Sequence, residues 1–136
     1  MDKIREALVA ACNEMDKKAR KKGMKGVAVA AVLPKETKVD WICEMKVVET
    51  THNVEVPGGW NLVAIAWSKA GEVIASGADS GNPERKCLTG ELNYVGGAYD
   101  ETQDYKYAFA FSGGISEDDL IVAQYGIACL KSQIEA

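Results

Sequence analysis

Residues 105–120 read YKYAFAFSGGISEDDL, and the change of period inside this stretch decides the fold. Successive side chains of a strand point to opposite faces, so Tyr105, Tyr107, Phe109 and Phe111 share one face while Ala108 and Ala110 share the other. A helix can pack tightly onto the alanine side. Past Ser112-Gly113-Gly114 the spacing becomes helical, with Leu120, Ala123, Ile127, Leu130 and Ile134 on one stripe. Ser116 followed by Asp119 is a weak capping box, whose usual third residue is Glu or Gln, and Ile115 and Leu120 occupy the staple positions. Glu117, Asp118 and Asp119 place anions at the positive end of the helix dipole. Gly126 costs this helix about 1 kcal/mol relative to alanine, which implies a close contact there, with Ala108 and Ala110 as the expected neighbours.

The same stretch argues against two chemistries. Three carboxylates repel a phosphate from the amides that would cradle it, and the Gly-Lys-Ser/Thr ending of a nucleotide loop is missing. A serine nucleophile sits in G-x-S-x-G, whereas Ala110 and Phe111 precede Ser112. The sole histidine, His52, would have to serve as the base of any triad. No catalytic residue is assigned.

Toward the N-terminus, Ile4, Leu8, Ala11, Met15 and Ala19 recur at helical spacing, with Asp2 as a cap and Gly23 as a left-handed stop. Val27 to Leu33 has no polar face and is bounded by Gly26 and Pro34, the pattern of a central strand covered on both faces. Helices are therefore expected on both sides of the sheet. Val39, Trp41, Cys43, Met45 and Val47 alternate with Asp40, Glu44 and Lys46, a second strand that so short a turn makes antiparallel to the first. Residues 50–59, TTHNVEVPGG, read as a loop. Trp60 to Ser76 is a helix with a wide apolar face, ended by Gly77. Lys69 lies at the border of that face, where its methylenes can cover the core while its ammonium points outward. Residues 77–90 lack periodicity, as functional loops often do. From Glu91 to Tyr99 strand-formers are interrupted by Gly96-Gly97, a sign of a bulge or of a close backbone approach.

Length and composition fit one soluble globular domain over residues 1–136, with 47% hydrophobic and 26% charged residues, and leave the fold class to the pattern. A net charge of −4 speaks against nucleic acid, since phosphate recognition leans on clustered Lys and Arg. The basic block Lys17, Lys18, Arg20, Lys21, Lys22 falls at the negative pole of the first helix and reads as a solvated helix end. No secretory leader or membrane span is evident, so a cytoplasmic location is expected. Cys12, Cys43, Cys87 and Cys129 show no C-x-x-C spacing and read as reduced thiols rather than metal ligands.

With these residues in view, the sequence resembles the GlcG/HbpS-like family, also called the haem-degrading domain family and related to the C-terminal domain of PduO-type proteins. The resemblance is carried by GELNYVGGAY at 90–99, by FSGGISEDDLIVAQYGIACL at 111–130 and by the Lys69-Ala70 step. It implies an α/β layered domain whose antiparallel, profilin-like sheet of about five strands has helices on both faces, commonly assembled into homo-oligomers. It also implies a small-molecule ligand, with haem or cobalamin among the cofactors.

Lys69, Arg85, Glu91, Tyr94, Gly96, Gly97 and His52 are the candidate ligand-binding residues. Lys69 and Arg85 can meet ligand carboxylates, Arg as a bidentate fork; Arg85 can equally pair with Glu84 or Glu91 at the surface. His52, Tyr94 and Met45 are chemically able to ligate haem iron, and His52 reads equally well as a solvated loop residue. The aromatic row of the 105–111 strand is either core or a wall for a flat ligand. The sequence thus points to a binding module for haem, a corrinoid or another organic anion. The alternatives are a haem-degrading enzyme and a structural or regulatory subunit.

Overall fold

The structure, a computed structural model, describes residues 2–36, 40–53 and 58–135. In chain order the elements are α1 (Asp2–Lys21), β1 (Gly26–Pro34), β2 (Ile42–Val48), β3 (His52–Asn53), β4 (Trp60–Asn61), α2 (Leu62–Ser76), β5 (Gly97–Glu101), β6 (Tyr105–Ser112) and α3 (Ser116–Ile134). One antiparallel sheet has the order β2-β1-β6-β5, and β3 pairs with β4 in a separate two-residue ribbon.

This corrects the expectation of about five strands in one sheet. The strand expected over Glu91 to Tyr99 begins only at Gly97, because Asn93 (φ 60°) and Gly96 (φ 140°) turn the chain out of the extended region. The 50–59 segment, expected to be irregular, supplies β3 instead; Val54 to Pro57 and Val39 lie outside the described residues.

The central strand behaves as its sequence dictates. Val27 through Leu33 is buried on both faces, since Ala28, Ala30 and Val32 point to one layer and Val27 and Val29 to the other. In β6, Tyr107, Phe109 and Phe111 enter the layer of α1 and α3, where all three are fully buried. Full burial of each aromatic stabilises by about 1.5–3 kcal/mol. The row is core, which settles the choice between core and ligand wall for these three rings. Ala108 and Ala110 face α2 together with Ala66, Ala70 and Val73, so small side chains on both elements let that helix approach the sheet.

Gly126 makes the close contact its cost implied, with different neighbours. A β-carbon there would stand 2.6 Å from Met15 Sδ and 2.7 Å from Phe109 Cδ2. The glycine therefore fits α3 against α1 and the aromatic face of β6, not against Ala108 and Ala110.

The second helix ends at Gly77 as the sequence implies but starts at Leu62 rather than Trp60, and the third is not capped as its sequence suggests. Asn61 Oδ1 accepts from Ala64 N at 3.0 Å and caps α2, and Gly77 closes that helix in the left-handed region at φ 67°. At α3 the capping box does not form. Ile115 occupies the cap without a side-chain bond, Ser116 is already helical, and the Asp119 carboxylate reaches back past the cap to accept from Gly114 N at 2.9 Å.

Candidate ligand-binding site

Lys69 is only 3% exposed. Its ammonium turns inward rather than outward as its border position suggested. Nζ donates to the backbone oxygen of Phe111 at 2.9 Å and to Asp119 Oδ2 at 3.1 Å. The other carboxylate oxygen, Asp119 Oδ1, accepts from Gly114 N at 2.9 Å. One charge from the middle of α2 and one from the first turn of α3 thus meet over the end of β6. Burial pushes the Asp119 carboxyl above its ordinary value, although Lys69 and the Gly114 and Gly113 amides pull it down.

The glycine pair identified in the sequence permits this arrangement. A β-carbon at Gly96 would lie 2.7 Å from Lys69 Nζ and 2.8 Å from Phe111 O, and one at Gly97 would lie 2.7 Å from Lys69 O. Only a chain without side chains at 96 and 97 can run this close to Lys69.

A cavity of about 220 Å³ opens above the pair. Lys69 and Asp119 line it together with Leu62 and Ile65 of α2, the Ser112-Gly113-Gly114 turn, and Trp60 and Tyr94. Trp60 and Tyr94 are 42% and 39% exposed, with ring centroids 6.2 Å apart and planes at 79°. An ammonium carries three N–H donors, and Lys69 spends two of them on Phe111 and Asp119. No further partner for Nζ occurs among the described residues.

Four of the sequence candidates therefore converge, namely Lys69, Tyr94, Gly96 and Gly97. Arg85 and Glu91 form a second cluster. Arg85 Nη1 donates to Glu91 Oε2 at 2.9 Å, and Nη2 donates to Asn93 Oδ1 at 2.9 Å and to Glu72 Oε1 at 3.4 Å. Glu72 Oε1 also accepts from Asn93 N at 2.9 Å. The Arg85 side chain is 2% exposed, so its pairing with Glu91 is a buried clamp on the 85–93 loop rather than a surface contact. The Leu88 amide and then the Arg85 guanidinium hold the Glu91 carboxyl below the usual range. His52 stands apart on β3. It is exposed, with Nδ1 3.2 Å from Thr51 Oγ1, and it lines a neighbouring groove shared with Trp60.

The sequence reading missed Asp119, Trp60 and the lining role of Ser112-Gly113-Gly114. A lysine flanked by apolar α2 residues was the available signal, because a buried ammonium needs a carboxylate. Only the tertiary fold shows that Asp119 is the one supplied.

The fold and cavity together define a layered α/β domain with a buried lysine–aspartate pair beneath an open cleft. No sequence-family model and no curated protein matches the chain. In three dimensions it is similar to the Klebsiella pneumoniae protein ORFY, a DUF336 protein, at 17% identity, covering 95% of this chain and 88% of that one with a TM-score of 0.62. It is also similar to PduOC, solved as a haem complex, at 17% identity, covering 91% of this chain and 89% of that one with a TM-score of 0.55. The fold is thus the DUF336 and PduO C-terminal type that the sequence resemblance implied. No helix among the described residues is long and apolar enough to cross a membrane.

Proposed function

We propose that the protein is a small-molecule binding module, working as a homo-oligomer, whose cavity takes a carboxylate of an organic anion against Lys69. The carrying observation is the buried ammonium with one donor unspent among the described residues, beneath an open, aromatic-rimmed cavity. A charge-assisted bond to a carboxylate is about twice as strong as a neutral one. Gly96 and Gly97 serve by giving the chain room beside Lys69. Arg85 and Glu91 serve by fixing the loop that presents Tyr94.

Haem belongs among the candidate anions, and the haem complex of PduOC supports it; a corrinoid has no comparable support. Pockets that enclose a drug-sized ligand usually measure roughly 300–1,000 Å³, more than the 220 Å³ here. A propionate fits, and the macrocycle would remain at the mouth beside Trp60 and Tyr94. Those rings stand nearly perpendicular, so they offer a planar ligand one face and one edge. Of the three residues able to ligate iron, Tyr94 lines this cavity, while His52 opens onto its neighbour.

Titration with hemin, and separately with small mono- and dicarboxylates, tests the reading through the Soret band and Trp60 fluorescence, with Trp60→Phe as the control for the other tryptophans. Binding that weakens more than about tenfold in Lys69→Met and only modestly in His52→Ala is expected, since a charged hydrogen bond contributes roughly 1.5–3 kcal/mol. Saturable binding that Lys69→Met leaves unchanged would place the ligand elsewhere, and no binding of either class would overturn the proposal.

A further inference from the structure

The two edges of the main sheet are finished differently. At β5 the edge is closed from within the chain: Ser80 N donates to Gly97 O at 2.8 Å, Ser80 Oγ accepts from Gly97 N at 3.0 Å, and Asp79 Oδ1 accepts from Tyr99 N at 2.7 Å. At β2, whose inner side pairs with β1 along its whole length, no hydrogen bond reaches the outer edge from any described residue. The strand runs seven residues, ICEMKVV, without proline or glycine. Proteins usually blunt such an edge or cover it.

The face beside that edge is also uncovered. Ile42 and Val48 are buried under α1, while Trp41, Met45 and Val47 are 57%, 40% and 37% exposed and Cys43 is exposed with them. These residues continue the Val27, Val29 and Ala31 face of β1, but α2 lies over β1, β6 and β5 and stops short of them. On the other face Val9 of α1, 41% exposed, shares a helical stripe with Arg20, whose guanidinium reaches Glu49 just past β2.

We infer that β2 pairs edge to edge with β2 of a second copy about a two-fold axis normal to the sheet at Met45. Such an axis keeps every side chain on its own face. The register that overlaps all of Ile42–Val48 with its copy is centred on Met45, the middle residue. In that register Glu44 of each chain lies opposite Lys46 of the other, and Cys43 lies opposite Val47. The full-overlap register is thus the one that sets opposite charges together on one face and joins two apolar strips on the other. Antiparallel neighbours of this kind contribute through each facing pair. The self-complementarity selects a second copy of this chain as the occupant.

The inference rests on the homo-oligomer part of the proposed function, and its test separates the two. Light scattering against concentration should show a dimer or a larger even-numbered assembly. Glu44→Lys and Lys46→Glu, each with an unchanged circular dichroism spectrum, should weaken self-association roughly tenfold or more, since two like-charged pairs then face each other. The double exchange should restore it. Met45→Cys, in a chain also carrying Cys43→Ser and Cys87→Ser, should oxidise to a covalent dimer, because directly opposite Cα atoms about 4.5–5.5 Å apart suit a disulfide. An assembly indifferent to the charge exchanges, or one in which Met45→Cys fails to cross-link, would overturn the β2 interface and leave the homo-oligomer standing. A monomer at every concentration would overturn both.

Discussion

Lys69 Nζ and Asp119 Oδ2 stand 3.1 Å apart across 50 residues of chain, each side chain 4% exposed. Taking both charges out of water costs several kcal/mol, which their attraction offsets only while both are present. Lys69→Met or Asp119→Leu alone should therefore destabilise by about 3–5 kcal/mol each. The pair Lys69→Met with Asp119→Leu should lose much less than either single change. Urea denaturation of the four proteins checks this; additive losses would mean that the two charges do not act as a pair.

The two glycines inside helices should respond oppositely to alanine. At Gly71 of α2 a β-carbon would meet nothing within 4 Å, so Gly71→Ala should stabilise by about 0.5–1 kcal/mol through helix propensity. At Gly126 the methyl would press on Met15 and Phe109 at under 3 Å. Met15 can yield, but the fully buried Phe109 ring has little room, and overpacking of this kind costs about 1–3 kcal/mol. Gly126→Ala should lower the thermal midpoint and Gly71→Ala should raise it.

These cases show what was legible in the sequence. Hydrophobic period located α1, β1, β6 and α3, because each buries a regular face, and Gly96-Gly97 announced a close approach because little else explains two glycines in a strand-like run. The pattern was silent about partners. Trp41, Cys43, Met45 and Val47 alternate as a buried face would, yet they are exposed because no helix reaches them. Asp119 looked like a helix-start anion, and its pairing with Lys69 depends on a contact 50 residues away. Local rules describe Asp119 as one of three similar acids; the fold alone makes it different.

The acids should also differ in titration. Asp119 lies above the ordinary 3.8 because burial penalises its charged form. The native state then binds its proton more readily than the unfolded chain does. The resulting stabilisation is complete below 3.8 and fades as pH rises through the folded value. Burial acts against the Asp100 anion too, but Lys131 Nζ at 2.8 Å and the Glu101 amide hold its carboxyl below 3.8. Its stabilisation is present above 3.8 and fades as pH falls through the folded value. Carboxyl carbon NMR on the folded protein should show Asp100 gaining its proton at lower pH than Asp119. The reverse order would contradict the buried placement of the Lys69 pair.

Three of the four cysteines, Cys12, Cys43 and Cys87, should react at different rates for reasons of position. All are free thiols, and the thiolate is the reactive form. Cys12 is 2% exposed in the layer between α1 and the sheet. Burial, with Glu44 nearby, pushes its thiol up to about 12. Cys43 and Cys87 are exposed, and burial raises the Cys43 thiol above its ordinary value as well. Cys87 should therefore be modified first by a disulfide reagent at mildly alkaline pH, with Cys43 following and Cys12 reacting only when the protein unfolds. Mass spectrometry of peptides taken at successive times gives the order. Adding denaturant should release Cys12 in step with loss of the native circular dichroism signal, because its access requires α1 to leave the sheet. Early modification of Cys12 in the folded protein would mean that α1 opens without global unfolding.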